Sequence, residues 1–254
     1  SVRSIMLGGT ATPAALMEYF ESEFNIPITT AWGSTELAPL ATCALIRKKD
    51  LDKSPAEQIK IRVRQGVAMP GVELKILDED GKELPWDDKA IGEIYVRAPW
   101  SSTEYYRDER SKEGFVDGYW KSGDMSAINE DGVLRLVDRV KDLIKSGGEW
   151  ISSVDLENEL VAHPKVHEAA VVAVPDLKWA ERPCAYVVLK PGVTLESGEL
   201  RAWLEKKFVR WSLPDHFLLL DELPKTGVGK INKRALREHV EHDVEEANKV
   251  AAAG

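Results

Sequence analysis

Cysteine is scarce: Cys43 and Cys184 are the only two in 254 residues, far apart and without a CxxC neighbour. Neither a disulfide framework nor a zinc site is indicated, and a reducing cytoplasm is the expected compartment. No apolar run approaches the roughly 20 residues that span a bilayer, and no signal peptide opens the chain. The expectation is a soluble globular protein without an integral membrane segment. Cationic excess is also missing, because 34 Lys and Arg face 43 Asp and Glu, a formal net charge of -9. Such a balance has no general attraction for phosphate backbones or anionic lipid, so nucleic acid and membrane surfaces are poor first partners. An anionic ligand must then be held by locally placed Lys, Arg and backbone N–H groups, which makes the positions of particular lysines informative. No internal repeat appears, and low complexity is confined to the Ala-rich tail. There is no initiator Met either. The chain opens at Ser1 almost directly on Ile5-Met6-Leu7 and reads as cut from something longer.

What is present divides into three stretches. Thr12 before Pro13 reads as an N-cap with proline in the first helical turn, predicting a helix to about Phe24, and 28–31 reads as a short strand. Strand, helix and strand would place the Gly8-Gly9 end and the polar end after Trp32 at one sheet edge, where α/β sheets hold ligands. Residues 42–66 are charged and weakly patterned, and read as a surface excursion. From Val72 onward strands are expected over 73–77, 92–97 and 133–137, separated by turns such as Asp78-Glu79-Asp80-Gly81. Beyond Arg139 a glycine loop at Ser146-Gly147-Gly148 precedes a helix that Ser152 and Asp155 can cap, ending near His163-Pro164. Strands over 169–174 and 185–189 follow. Next come an amphipathic helix carrying Leu200, Trp203, Leu204 and Phe208, a strand over 217–220, a loop from Pro224 to Lys230, and a polar terminal helix. The expected class is α/β and α+β: residues 1–137 as the end of a large α/β domain plus a β-rich subdomain, then a small α+β domain over 138–254. A hinge is expected near 138–142.

Five segments hold residue types suited to nucleotide chemistry. Trp32-Gly33-Ser34-Thr35-Glu36 clusters an aromatic face, a close-approach glycine, hydroxyls and a carboxylate, the parts of a nucleotide-Mg2+ site. The same five residues also suit a buried Trp beside a helix start. Gly8-Gly9-Thr10 can bring bare backbone against a flat ligand or form a plain turn. Tyr119-Trp120-Lys121-Ser122-Gly123-Asp124 reads as a glycine-flanked turn whose carboxylate can accept both ribose hydroxyls or serve turn chemistry. From Asp138 to Trp150, three cations, three acids, a double glycine and a Trp sit at the joint between two domains, where a phosphate ligand and a hinge are both useful. Pro224 to Lys230 lacks the GxxxxGK[ST] spacing and is not a P-loop, but its glycines leave Lys230 able to reach an anion. His239 and His242 share a helix face and read as solvated.

In this order the segments resemble the adenylate-forming, or acyl-activating, superfamily of acyl-CoA synthetases, luciferases and adenylation domains. The resemblance covers nearly the whole chain, through GGTATP over 8–13, TAWGSTE over 30–36, GEIYVRAPW over 92–100, GYWKSGD over 118–124, DRVKDLIKSGGEWIS over 138–152, and the stretch from Trp211 to Glu238. The last two look most like long- and medium-chain fatty acyl-CoA synthetases. The resemblance implies that Gly9, Thr30, Ala31 and Trp32 border adenine, that Thr35 touches phosphate, and that Glu36 holds magnesium. By the same likeness Asp124 holds the ribose hydroxyls. Arg139 and Lys141 belong to a linker with Lys141 as pivot, and Lys145 and Trp150 complete the nucleotide site. Lys230 bridges the acyl carboxylate and the α-phosphate. It implies ATP, AMP, Mg2+ and coenzyme A as ligands, a fatty acid as substrate, and an acid-thiol ligase as activity. Trp32 stands where Tyr is common, and Ala98-Pro99-Trp100 replaces the usual Gly-Pro. The superfamily's phosphate loop and most of its acyl tunnel do not occur in these residues, so the 254 residues alone are expected to be inactive. The motifs serve every branch, leaving open an aryl-acid or carrier-loading ligase, a non-catalytic AMP-binding module, the chain length of the acid, the thiol acceptor and an oligomer.

Overall fold

A computed structural model describes residues 1–9, 12–196, 198–227 and 229–253, with the backbone alone from 245 onward. Thr10 and Val228, which fall within two of the motifs, lie outside the described residues. The chain divides into two compact units, Ser1–Val140 and Lys141–Gly254.

In the first unit β1 (Ile5–Leu7), α1 (Ala14–Phe24) and β2 (Ile28–Trp32) form a parallel crossover, with Ile5 opposite Ile28 and Leu7 opposite Thr30. Met17 and Ile28 close a small core beneath it. Thr12 is not the N-cap. Pro13 takes that position in extended conformation without a side-chain cap bond, so the helix starts one residue later than its proline suggests.

Residues 42–66 are not a surface excursion. β3 (Thr42–Cys43) pairs with β2, α2 (Pro55–Arg62) follows, and β4 (Val67–Ala68) completes a sheet of order β1-β2-β3-β4. Ser54 starts α2 by a capping box with Glu57, and Pro55 sits at the first turn. The charged pattern conceals a buried contact: Arg62 donates to the Ile28 carbonyl at 3.2 Å and pairs with Glu21 at 2.6 Å, tying α2 to β2 and α1.

A second sheet follows, built from β5 (Glu73–Leu77), β6 (Gly92–Arg97), the short α3 (Ser111–Gly114), β7 (Phe115–Val116), β8 (Tyr119–Ile128) and β9 (Leu134–Arg139). Its order is β5-β6-β8-β7, with β9 also on β8. Tyr119 to Asp124 therefore lies within a ten-residue strand rather than in a turn. Register shifts opposite both neighbours interrupt the ladder around Asp124. There the Gly123 N–H donates to Glu93 Oε1 at 3.0 Å and the Asp124 N–H to Ser122 Oγ at 3.0 Å. Irregularities of this kind re-aim side chains. Ile76, Ile94, Val96, Trp120 and Ile128 pack with Trp32, Leu37 and Ala41, so the end of the first sheet and the inner face of the second share one core.

In the second unit β10 (Ile144–Ser146) and β11 (Glu149–Ile151) form a hairpin, where the sequence suggested only a glycine loop. Gly147 and Gly148 both have positive φ, +61° and +89°, as a two-residue primed turn requires. α4 (Ser153–Val161) follows, with Ser152 Oγ accepting from the Asp155 N–H. β12 (Val166–Asp176) and β13 (Ala180–Leu189) then form a long antiparallel pair. α5 (Glu199–Leu204) ends before Phe208, which packs on the same core from outside the helix. β14 (His216–Leu219) lies parallel to β13, and α6 (Lys233–Ala253) ends the chain. Alternation explains why residues 169–174 of β12 and 184–189 of β13 form unbroken apolar runs. Val171, Ala185 and Val187 face the core under α4 and α5, whereas Ala170, Val172, Cys184 and Tyr186 face the core under α6.

Candidate functional site

The end of β2 is shaped by close backbone approach. A Cβ on Gly8 would lie 3.0 Å from the Ala31 carbonyl oxygen, so the Gly8-Gly9 end of β1 runs against Ala31. A Cβ on Gly33 would overlap the Pro39 carbonyl, which is why only glycine lets the chain fold back there. The fold-back turns through Thr35–Leu37, leaving Thr35 exposed and Glu36 partly buried. Thr30 and Ala31 are buried in β2, and the Thr30 hydroxyl has no hydrogen-bond partner.

Two carboxylates are fixed near this end. Trp32 is only 6% exposed; its indole sits in the core and its Nε1–H donates to Asp124 Oδ2 at 2.9 Å. Arg139 reaches the other Asp124 oxygen, with Nε 3.4 Å from Oδ1. Glu36 accepts the Ser34 hydroxyl on Oε2 at 2.8 Å and the Tyr105 hydroxyl on Oε1 at 2.8 Å. Burial pushes the Glu36 carboxyl up, but its own backbone N–H, Ser34 and Tyr105 together outweigh it and hold the pKa below the ordinary carboxylate value. Glu36 is therefore an anion at neutral pH. Among the described residues no group of three or more His, Cys, Asp or Glu is placed to hold a metal. One ionised carboxylate nevertheless fits Mg2+, which keeps several waters and takes one or two carboxylates together with substrate phosphates.

The structure thus gathers Gly9, Thr30, Ala31, Trp32, Thr35, Glu36, Asp124 and Arg139 on the first unit. Lys141, Lys145, Trp150 and Lys230 belong to the second. Lys145 and Trp150 are cross-strand partners in the β10–β11 hairpin, the ammonium 4.8 Å from the ring centroid, a cation–π pair. The Lys145 N–H donates to Glu181 Oε2 at 2.8 Å. Lys230 stands on a separate loop that closes on itself: Thr226 N–H donates to the Lys230 carbonyl at 2.7 Å, and Lys230 N–H to Thr226 Oγ1 at 3.2 Å. The lysine is exposed, as is Lys141.

Tyr105 is the residue that sequence reasoning missed. It lies 69 positions from Glu36, in a stretch with no motif character of its own. Trp120 and Ser34 stand inside recognised segments, but nothing local indicated that Trp120 bonds the Tyr105 hydroxyl that, with Ser34, holds Glu36. A shallow cavity of about 450 Å³ elsewhere on the first unit is walled by Val72, Leu74, Lys75, Trp86 and Tyr119. Two of its acids are already engaged, Glu73 with Arg97 and Tyr119 and Asp131 with Lys49 and Arg47.

The model for AMP-binding enzymes matches residues 1–106, and that for the AMP-binding enzyme C-terminal domain matches residues 155–230. The chain is 41% identical over 241 residues to a long-chain-fatty-acid–CoA ligase of Thermus thermophilus, covering 94% of this chain and 44% of that protein. It is 39% identical over 238 residues to a medium-chain-fatty-acid–CoA ligase of Ectopseudomonas oleovorans, covering 94% of this chain and 43% of that protein. Among solved structures, the o-succinylbenzoate CoA synthetase of Bacillus subtilis in complex with its acyl-adenylate intermediate superposes with a TM-score of 0.78 at 30% identity, covering 90% of this chain and 44% of that one. The chain spans less than half the length of each of these proteins. With both halves of the family matched in order and the fold shared, the chain belongs to the AMP-binding enzyme family.

Proposed function

We propose that the protein is an AMP-forming acid–thiol ligase and that its acid is a fatty acid. The observation that carries the reading is the end of β2, where Glu36 is an anion held by two hydroxyls and the Trp32 indole bonds Asp124, itself paired with Arg139. In the first step the acid's carboxylate oxygen attacks the α-phosphorus of ATP, the bond to pyrophosphate breaks, and acyl-AMP forms. In the second, CoA thiolate attacks the acyl carbon and AMP leaves. Gly9, Thr30, Ala31 and Trp32 border the adenine. Asp124, oriented by Trp32 and Arg139, accepts the ribose hydroxyls. Thr35 contacts phosphate, and Lys145 with Trp150 completes the nucleotide site. Lys230 lies against the acyl carboxylate and the α-phosphate, stabilising negative charge as it develops. Glu36 would hold magnesium, which when bound neutralises phosphate charge. Lys141 is the pivot about which the second unit reorients between the two steps.

The fatty-acid substrate rests on similarity to the two fatty-acid ligases; similarity to the o-succinylbenzoate enzyme favours a second reading, an aryl acid. Acid-dependent exchange of pyrophosphate into ATP by the full-length protein, run with a saturated fatty-acid series and with substituted benzoates, separates them. Exchange with the fatty acids is expected. Exchange with benzoates alone replaces the substrate, and exchange with neither removes the ligase reading.

A further inference from the structure

Tyr105 is held at its backbone, its ring and its hydroxyl. Its backbone N–H donates to Ser111 Oγ at 2.7 Å, and the Ser111 hydroxyl donates back to the Tyr105 carbonyl at 3.0 Å. Its ring packs edge-on against Phe115 at 5.2 Å between centroids. Gly114 leaves room for it, because a Cβ there would lie 3.1 Å from Tyr105 Cε2. The hydroxyl is oriented as well. Trp120 Nε1–H donates to it at 3.2 Å, which occupies the acceptor side of the oxygen and aims its own proton at Glu36 Oε1. The same loop touches the Glu36 backbone, where the Ser102 N–H donates to the Glu36 carbonyl at 2.7 Å.

We propose that Tyr105 is a positioning residue for a divalent cation held by Glu36, with Trp120 setting the direction of its hydroxyl. The proposal rests on the adenylation reading above. A carboxylate on a turn of three residues rotates freely unless both oxygens are engaged. Here Ser34 takes one and Tyr105 the other, with the Glu36 backbone N–H as a third donor, so the plane of the carboxylate is set while one of its about four accepting positions remains for a cation. A hydrogen-bonded ligand is pre-oriented, and loss of such an outer partner typically weakens metal binding by about 10- to 100-fold. Tyr105 does not touch nucleotide in this scheme, so adenine and ribose binding are separable from its effect.

The test uses the full-length protein and the variant Tyr105→Phe, which keeps the ring and removes one oxygen. Mn2+ binding is titrated by electron paramagnetic resonance in the presence of a non-hydrolysable ATP analogue, and AMP binding is measured by calorimetry with chelator present. The expected result is Mn2+ binding weakened by about 10- to 100-fold with AMP affinity unchanged. If Tyr105→Phe does not fold because the Trp120 N–H loses its acceptor, the double variant Tyr105→Phe/Trp120→Phe removes both partners and is measured instead. Wild-type Mn2+ affinity in the folded variant overturns the role of Tyr105 alone, and a parallel loss of AMP affinity reassigns it to general structure. Wild-type protein that binds no Mn2+ with the analogue overturns the adenylation reading and this proposal with it.

Discussion

Asp124 shows how much one side chain carries. One oxygen accepts the buried Trp32 indole N–H and the other faces Arg139, so the carboxylate is oriented before any ligand arrives. Asp124→Ala should weaken nucleotide binding through loss of two charge-assisted ribose bonds, each worth about 1.5–3 kcal/mol, as calorimetry with ATP in the full-length protein would show. An unchanged affinity removes Asp124 from the site. The thiols make a contrasting case. Burial, then the nearby charges of Asp243 and Asp215, push Cys184 up to about 12, and burial also raises Cys43. Thiolate is the reactive form, so neither should react quickly with a disulfide reagent near pH 8, and both should react once the protein is unfolded. A fast-reacting equivalent in the native protein would contradict the burial of both.

At the scale of elements, α2 is the instructive one. Its charged sequence reads as loop, yet Ser54-Pro55-Ala56-Glu57 carries a complete helix-start signature, and the structure uses both halves of the capping box. The signal was legible; the apolar face that should accompany it was not, because a buried Arg62 replaces one of the expected hydrophobic residues. Its two terminal nitrogens reach Ile28 and Glu21, contacts that no local pattern announces, while Nε has no hydrogen-bond partner among the described residues. Ser54→Ala should lower stability by about 1 kcal/mol, within a range of roughly 0.5–2. Chemical denaturation with an unchanged slope is the measurement, and no shift of the midpoint would show the cap to be idle. The strand through Asp124 failed to declare itself for a different reason. Gly118 and Gly123 punctuate it like a turn, but pairing with β6 on one side and β9 on the other carries the strand across Gly123.

For the whole molecule, the two units each hold part of the proposed chemistry. Val140 N–H donates to the Gly123 carbonyl within the first unit, and Asp142 pairs with Arg237 within the second. Lys141 between them carries the torsions that a reorientation would use. Lys141→Pro would fix φ near -65° and should slow thioester formation more than adenylation. Lys230→Ala should do the reverse, slowing acyl-AMP formation on the order of 100-fold, equivalent to about 2.7 kcal/mol, while thioester formation from supplied acyl-AMP survives. Single-turnover assays of the two half-reactions in the full-length protein check both; equal slowing of both steps by both variants would remove support for domain alternation. The amino-acid sequence by itself determined the mixed α/β class, the order of the motifs and the apolar strands of the second unit, because periodicity and turn chemistry act over a few neighbouring residues. Only the tertiary structure decided which groups hold Glu36 and Asp124. Tyr105 reaches Glu36 across 69 positions and Trp32 reaches Asp124 across 92, and contacts at such separations exist only once two sheets have closed on a shared core.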